Sequence, residues 1–365
     1  MRAAATTGTN RSDPLEGSRT RAVDRSIILL VVLLGIVWGS AFPVIRAGIV
    51  AGAPPLVFAA VRYLLTAAAL VPIAMVARTP RPTLRGLLPS LLFGGLLIIG
   101  AYGGLLYLGE DSTSGGVAAV LTGSAPLATA LIGYRLLPTE RFGRWGVLGL
   151  IVGFTGVTVL VLPQLGSGGS TGPFGPILIV GAVVSFALGS VLLRRTSRIS
   201  PSFWTLSVQF GVAGIVVGAV ALLTGEPATL GNGATVAPGL AYLVVLSGIA
   251  GYGLYFHIHH TAGPTQANLV GYVNPATGVL VGLIVFGEAV SGIEIAGLFL
   301  IAGGLFLLQR DRLRATPRPE EAHTAQSDIS SGSARLLPES GSATKSPGDI
   351  DDPPNRGSTS SVIER

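Results

Sequence analysis

Ten apolar runs, each about long enough to cross a hydrocarbon core, divide this chain between residues 27 and 309, and no other feature limits its fold so tightly. They cover roughly 27–47, 55–77, 86–108, 114–136, 144–163, 174–193, 203–224, 238–258, 265–286 and 292–309. In lipid every backbone N–H and C=O needs a partner from the protein itself, so each run is predicted to be an α-helix. Composition agrees: 49% of the 365 residues are hydrophobic and only 12% are charged, about half the charge a soluble domain carries.

The remaining charge has a pattern. The basic residues form no contiguous patch, so the formal +6 does not point to nucleic acid. With no Cys there is no disulfide and no thiolate metal site. Met1 to Arg25 is polar and Arg-rich, and the first run continues through Trp38 without a cleavage motif, so it is expected to remain as a span. Residues 310–365, rich in Pro, Ser, Gly, Asp and Arg, are expected to form a disordered tail.

Arginines fall in alternate gaps. Arg21 and Arg25 precede the first run, Arg78, Arg81 and Arg85 follow the second, and Arg135, Arg141 and Arg144 surround the gap after the fourth. Arg194, Arg195 and Arg198 follow the sixth run, and Arg310, Arg312 and Arg314 the tenth. The intervening gaps hold no Arg or Lys. The excess of positive charge in cytoplasmic loops therefore predicts an inner-membrane protein with both termini cytoplasmic. The gap after the eighth run carries His257, His259 and His260 instead; two of them are i, i+3 on a helix, but no acidic or Cys partner stands close, so they read as a solvated helix end and no metal is expected.

The sequence also repeats. Gly115 to Pro126 aligns without a gap with Pro264 to Pro275, a Glu follows each proline (Glu140, Glu288), and glycines recur at the same offsets (Gly149 and Gly297, then Gly156 and Gly304). Each copy holds five runs, an odd number, so the second copy starts from the opposite side, and the arginine pattern flips with it. The expected fold is all-α and polytopic, with ten transmembrane helices as two inverted five-helix repeats, 26–163 and 174–309, joined by a Gly/Ser-rich linker at 164–173. Such repeats place a substrate site near the midplane where the halves meet.

Several segments resemble the EamA-like family of the drug/metabolite transporter superfamily. Trp38-Gly-Ser-Ala-Phe-Pro-Val-Ile-Arg46 is similar to that family's opening motif and Pro55 to Arg62 to its second-helix motif; Pro126 with Glu140-Arg141, and Pro275 with Gly287-Glu288, resemble its twice-repeated signature. Pro138-Thr139 before Glu140, with one additional residue, and Ala289 after Glu288 depart from the pattern, which points to altered loop geometry. The resemblance implies export or exchange of small metabolites, amino acids prominent among them.

Polar groups inside spans are costly, so they are expected to face the interior. Asn268, Tyr272 and Asn274 stand around Pro275 and are the leading candidates for lining a substrate path, with Pro126 and Pro275 as kink sites. On a helix 268 and 272 share a face, while 274 diverges from 272 by about 200° and is expected to bridge a neighbouring helix or the kink. Trp38, Ser40, Tyr102, Tyr252 and Tyr255 are further candidates. Arg62 is either a headgroup anchor or a vestibule residue, and Arg46 a structural one. None of the acidic residues lies clearly mid-span; Glu110, Asp111, Glu140 and Glu288 flank helix ends, and Glu140 and Glu288 are expected to pair with basic groups or cap the next helix.

The combined expectation is a secondary transporter of a small metabolite, an amino acid or related amphipathic solute, working by alternating access and favouring export, with no cofactor and with the bilayer and substrate as partners. Multidrug or amine efflux is the alternative, disfavoured by the scarcity of buried carboxylates. An intramembrane enzyme would need a catalytic constellation at depth, and a non-transporting scaffold would have no use for inverted symmetry. Orientation is directly testable because the chain lacks Cys. Ser167→Cys is predicted to react with an impermeant thiol reagent outside intact cells and Ser197→Cys to stay protected; the reverse pattern overturns the orientation.

Overall fold

The computed structural model describes residues 14–137, 142–166, 174–196, 202–263, 266 and 269–315. Within them lie α1 (Ser26–Val50), α2 (Pro55–Val76), α3 (Leu87–Glu110), α4 (Gly115–Leu136), α5 (Arg144–Pro163), α6 (Gly175–Thr196), α7 (Phe203–Leu223), α8 (Gly233–Ala262), α9 (Val270–Phe286) and α10 (Gly292–Arg310). Nine of these are long and apolar enough to cross a membrane, and α9, with 17 residues, is shorter, near the lower limit. No strand occurs among the described residues. Large apolar side chains such as Leu29, Val76, Leu223 and Phe299 remain exposed, as a lipid-facing surface requires. Residues 164–166 of the expected linker and 310–315 of the expected tail are helical; the rest of both, Glu140 and Asn268 lie outside the described residues.

The helices depart from simple rods at three places. α1 is interrupted at Ser40, between Gly39 and Ala41. α4 is interrupted at Gly123-Ser124, just before Pro126, whose missing N–H cannot continue the ladder. At the break Leu121 O accepts from both Ser124 N at 3.0 Å and Ser124 Oγ at 2.6 Å. α3 and α8, at the same place in the two repeats, each contain a wide i→i+5 segment, Ser90–Ala101 and Tyr242–Ala250. Such segments are rare and shift the side chains that follow them. Hydropathy carries no trace of any of these features.

α2 packs along α7, which also meets α3, while α6 lies against α3 and α4. α9 lies between α4 and α1, and α8 touches α1 and α2. α5 and α10 pack chiefly on each other and reach the remainder mainly through α4, with smaller contacts to α6 and α9. Their contact is backbone on backbone. A Cβ added to Gly149 would lie 2.6 Å from the Gly304 carbonyl oxygen, and one added to Gly304 would lie 2.6 Å from the Gly149 oxygen. One turn-pair along, a Cβ on Gly156 would lie 3.0 Å from Gly297 O. The first repeat glycine of one copy thus meets the second of the other, the crossing that inverted repeats related by a two-fold axis produce. Small-residue faces of this kind let helices approach closely in lipid, where no hydrophobic force draws them together.

Two ends of the bundle differ in charge. The connections after α1, α3, α7 and α9 carry or adjoin Glu110, Asp111, Glu226 and Glu288, and define an acidic end; Arg78, Arg81 and Arg194 lie at the opposite, basic end. Gly304→Ala is predicted to destabilise the fold by about 1–3 kcal/mol through overpacking. Gly303, whose added Cβ meets nothing within 4 Å, is the control. Thermal unfolding in detergent should show a lowered Tm for Gly304→Ala and little change for Gly303→Ala; equal melting would mean that the glycine contact is not a constraint.

Candidate functional site

Arg62 lies on α2 seven residues from its start, roughly 10 Å along the helix axis, and is half-buried. Its Nη1 donates to the Tyr107 hydroxyl at 3.0 Å and its Nη2 to Ser247 Oγ at 3.3 Å. Its Nε is buried and has no partner. Tyr107 comes from α3 and Ser247 from the wide segment of α8, so the guanidinium joins the two halves of the molecule. It does not snorkel to headgroups, one of the two roles left open for it above.

Aromatic rings surround this group. The guanidinium carbon stands 5.7 Å from the centroid of the Tyr63 ring, a cation–π distance. Tyr63 contacts Tyr107 and Phe210, and Phe210 meets Tyr252 edge-on at 5.6 Å. Trp38 stacks on Tyr255 at 5.6 Å and tilts against Tyr252 at 5.2 Å, while its Nε1 donates to the Ser247 carbonyl at 3.0 Å. α1, α2, α3, α7 and α8 therefore converge on one aromatic wall with a single cation in it. Trp38, Tyr252 and Tyr255 are half-buried, whereas Tyr63 and Tyr107 are buried. Tyr102, at the end of the wide segment of α3, leans on Phe186 of α6.

The other candidates fall elsewhere. Ser40 Oγ donates to Ile36 O at 2.6 Å, beside the backbone bond that Ser40 N makes to the same carbonyl, and the Tyr242 hydroxyl, in contact with Ser40 Oγ, donates to Val37 O at 3.1 Å at the break in α1. The Asn274 carboxamide faces Gly35 O of α1 and Val270 O, and in the amide orientation that satisfies it the nitrogen donates to them at 3.2 Å and 3.1 Å, bridging the α1–α9 contact. Tyr272 is exposed, and its hydroxyl donates to Gln309 Oε1 of α10 at 3.3 Å. Pro275 is buried against Gly123, and Pro126 is exposed. His257 and His260 are exposed, and His259 lies beside Tyr255. Sequence reasoning missed Tyr107, Ser247, Tyr63 and Phe210. The usable signal was the phenol or hydroxyl inside a span, since such groups must find partners in lipid.

The acidic end is closed by three charged caps. Glu226 accepts from Leu56 N and Val57 N at 3.0 Å each, at the N-terminus of α2. Glu288 accepts from Gly115 N at 3.0 Å and Gly116 N at 2.9 Å, at the N-terminus of α4. Arg46 Nη1 donates to Glu110 O at 2.6 Å and Asp111 O at 2.7 Å, at the C-terminus of α3. Each charge has the sign that the helix dipole favours at that terminus. Glu288 caps a distant helix and not the one that follows it. Gly287, in the left-handed region at φ 67°, turns the chain back, and Gly282 leaves room, since a Cβ there would sit 2.5 Å from Glu288 Oε2.

The EamA-like transporter family matches the chain twice, over residues 25–162 and 173–310. The chain belongs to this family. Its relatives include the uncharacterized inner membrane transporter YedA of Escherichia coli K12, 29% identical over 80% of this chain and 94% of its own length. The uncharacterized transporter YvbV of Bacillus subtilis is 26% identical over 77% and 90%. A probable amino-acid metabolite efflux pump of Salmonella typhimurium is 26% identical over 76% and 93%. A crystal structure described only as that of a protein, 20% identical, superposes with a TM-score of 0.55 over 79% of this chain and 99% of its own, which supports the fold. The EamA-like chain is accordingly a membrane transporter acting on a small molecule.

The placements on α9 make a prediction. Asn274→Ala is expected to lower stability by about 1–2 kcal/mol because two carbonyl contacts are lost. Tyr272→Phe is expected to leave flux within about twofold, as an exposed change should. Flux and abundance measured together decide this; a kinetic defect in Tyr272→Phe at normal abundance would return that face of α9 to the site.

Proposed function

We propose that this protein exports a small amphipathic metabolite bearing a carboxylate, an amino acid or close relative, by alternating access. Residues 26–163 and 174–309 are the two halves that rock, both termini are cytoplasmic, and the acidic end faces outward. The observation that carries this reading is Arg62. It is a half-buried guanidinium between the halves, held by Tyr107 and Ser247, with its Nε unpartnered and an aromatic wall beside it. A guanidinium offers a planar fork to a carboxylate, and a desolvated ion pair of that kind fixes orientation. Trp38, Tyr252 and Tyr255 supply the apolar surface that an aliphatic or aromatic side chain needs. Tyr102 stands at the edge of the same region, while Tyr272, Asn274 and Ser40 have supporting roles. The arginine distribution supports the orientation, and the Salmonella relative's printed description supports amino-acid metabolites and efflux.

Counterflow in proteoliposomes with a panel of labelled amino acids tests this. Arg62→Gln is expected to weaken apparent affinity by roughly 10- to 100-fold, the worth of a charge-assisted hydrogen bond, and Arg62→Lys to retain part of it. Amino-acid amides, which lack the carboxylate, should fail to compete. Unchanged kinetics in Arg62→Gln, or competition by the amides equal to that of the acids, would falsify the carboxylate assignment.

A further inference from the structure

Glu110, the last residue of α3, is fully buried. Both of its carboxyl oxygens are inaccessible, and neither has a hydrogen-bond partner. That sets it apart from its neighbours, because Asp111 is exposed and Glu226 and Glu288 each accept two backbone N–H groups. The charged groups within its electrostatic reach are Glu288 from the α9–α10 connection, Arg46 from α1 and Arg62 from α2. Tyr102 and Tyr107, on its own helix, also feel its charge. Tyr107 lies one turn further in and holds Arg62, so Glu110 stands between the outer caps and the central cation.

A carboxylate enclosed without a donor is among the most unfavourable arrangements a protein interior can hold. A neutral carboxyl has no such difficulty. Glu288 has two backbone donors and Glu110 has none, so a proton on Glu110 is what removes the unpaired charge. A bound metal cation fits poorly here. The nearest charged partners include two guanidinium groups, the oxygens have no free surface, and no group of three potential metal ligands occurs among the described residues.

We propose that Glu110 is a proton-binding residue that links closure of the acidic end to pH. It holds a proton while that end is closed, as it is here, and its ionisation releases the end. The link is mechanical. Once ionised, Glu110 must recruit a donor, and the charged and backbone donors that cap the acidic end are already committed: Arg46 to the carbonyls of Glu110 and Asp111, and Gly115 N and Gly116 N to Glu288. Drawing any of them away, or admitting water, breaks a cap. The sign follows: the closed form binds more protons, so rising pH favours opening. This rests on the alternating-access reading above, but its test needs no substrate, so the two fail separately.

The experiment uses the full chain in proteoliposomes, with Thr113→Cys, 3% exposed at the acidic end, as reporter and the exposed Ser291→Cys as reference for thiol reactivity. Maleimide labelling at Thr113→Cys, divided by that at the reference, is expected to rise at least about tenfold between about pH 5 and about pH 9. With Glu110→Gln added, the ratio should stay at its low-pH value throughout. Val117→Cys, on α4 and 2% exposed, is a second reporter should the first disturb packing. Infrared spectra of the protein without engineered thiols should contain a neutral-carboxyl band that Glu110→Gln removes. A flat ratio in the parent, a Glu110→Gln protein that titrates like it, or an infrared band that survives the substitution each overturns the proposal. So does a labelling ratio that follows sodium concentration at fixed pH, which would make the ligand a metal cation.

Discussion

Every departure from a plain helix in this bundle has to answer to hydrocarbon, which offers no hydrogen bonds. A break in a ladder therefore survives only where a side chain takes over the orphaned groups. The Tyr242 hydroxyl does so for Val37 O in α1, and Ser40 and Ser124 add side-chain bonds to carbonyls beside the breaks. At the acidic end the same demand falls on helix termini, and Glu226, Glu288 and Arg46 meet it with charged groups from distant parts of the chain. These caps are tertiary contacts as much as local ones. The acidic end cannot part without exposing helix termini that are now satisfied, so its closure and the integrity of the helices are one problem.

The centre follows a different logic. Arg62 is only partly satisfied, and its unpartnered Nε and the half-buried rings of Trp38, Tyr252 and Tyr255 leave a polar group beside apolar surface. A region built purely for stability would have closed around that cation. Side chains from both halves contribute, through Tyr107 on one side and Ser247 and Tyr252 on the other, so relative motion of the halves must change the grip on whatever lies there. The wide turns in α3 and α8 precede Tyr102 and Tyr252 and contain Ser247, and their equivalent positions place irregular helix on both sides of the site.

The architecture was legible because it is written in quantities that a single sequence carries: run length, gap charge and an offset repeat. Spans read from hydropathy alone, such as 55–77 and 203–224, nearly coincide with the observed Pro55–Val76 and Phe203–Leu223. The site was legible in part. Arg62, Trp38, Tyr252 and Tyr255 could be nominated because polar and amphipathic groups are conspicuous in lipid. Hydropathy gives depth along a helix and says little about direction around it. Tyr272 and Asn274, equally conspicuous, turned out to serve a helix–helix contact each, while Ser247 and Tyr107 went unnoticed in apolar surroundings. Glu110 is the clearest case. Its place at a helix end gives no hint of burial, yet it is fully buried, and no local pattern records the bond that Arg46 makes to its carbonyl.

The meeting of Gly149 with Gly304, mirrored by Gly156 with Gly297, has a consequence of its own. The interface between α5 and α10 is isologous in character: its two strips present equivalent positions to each other in opposite order, as the patches of a symmetric dimer do. A change placed at the same position of both copies would strike this interface twice, whereas the same change in the central site would meet different neighbours in each copy. The peripheral pair is thus bound to its symmetry, and the centre is free to lose it. The arginine in the aromatic wall and the glutamate buried above it are asymmetries that the centre alone could accumulate.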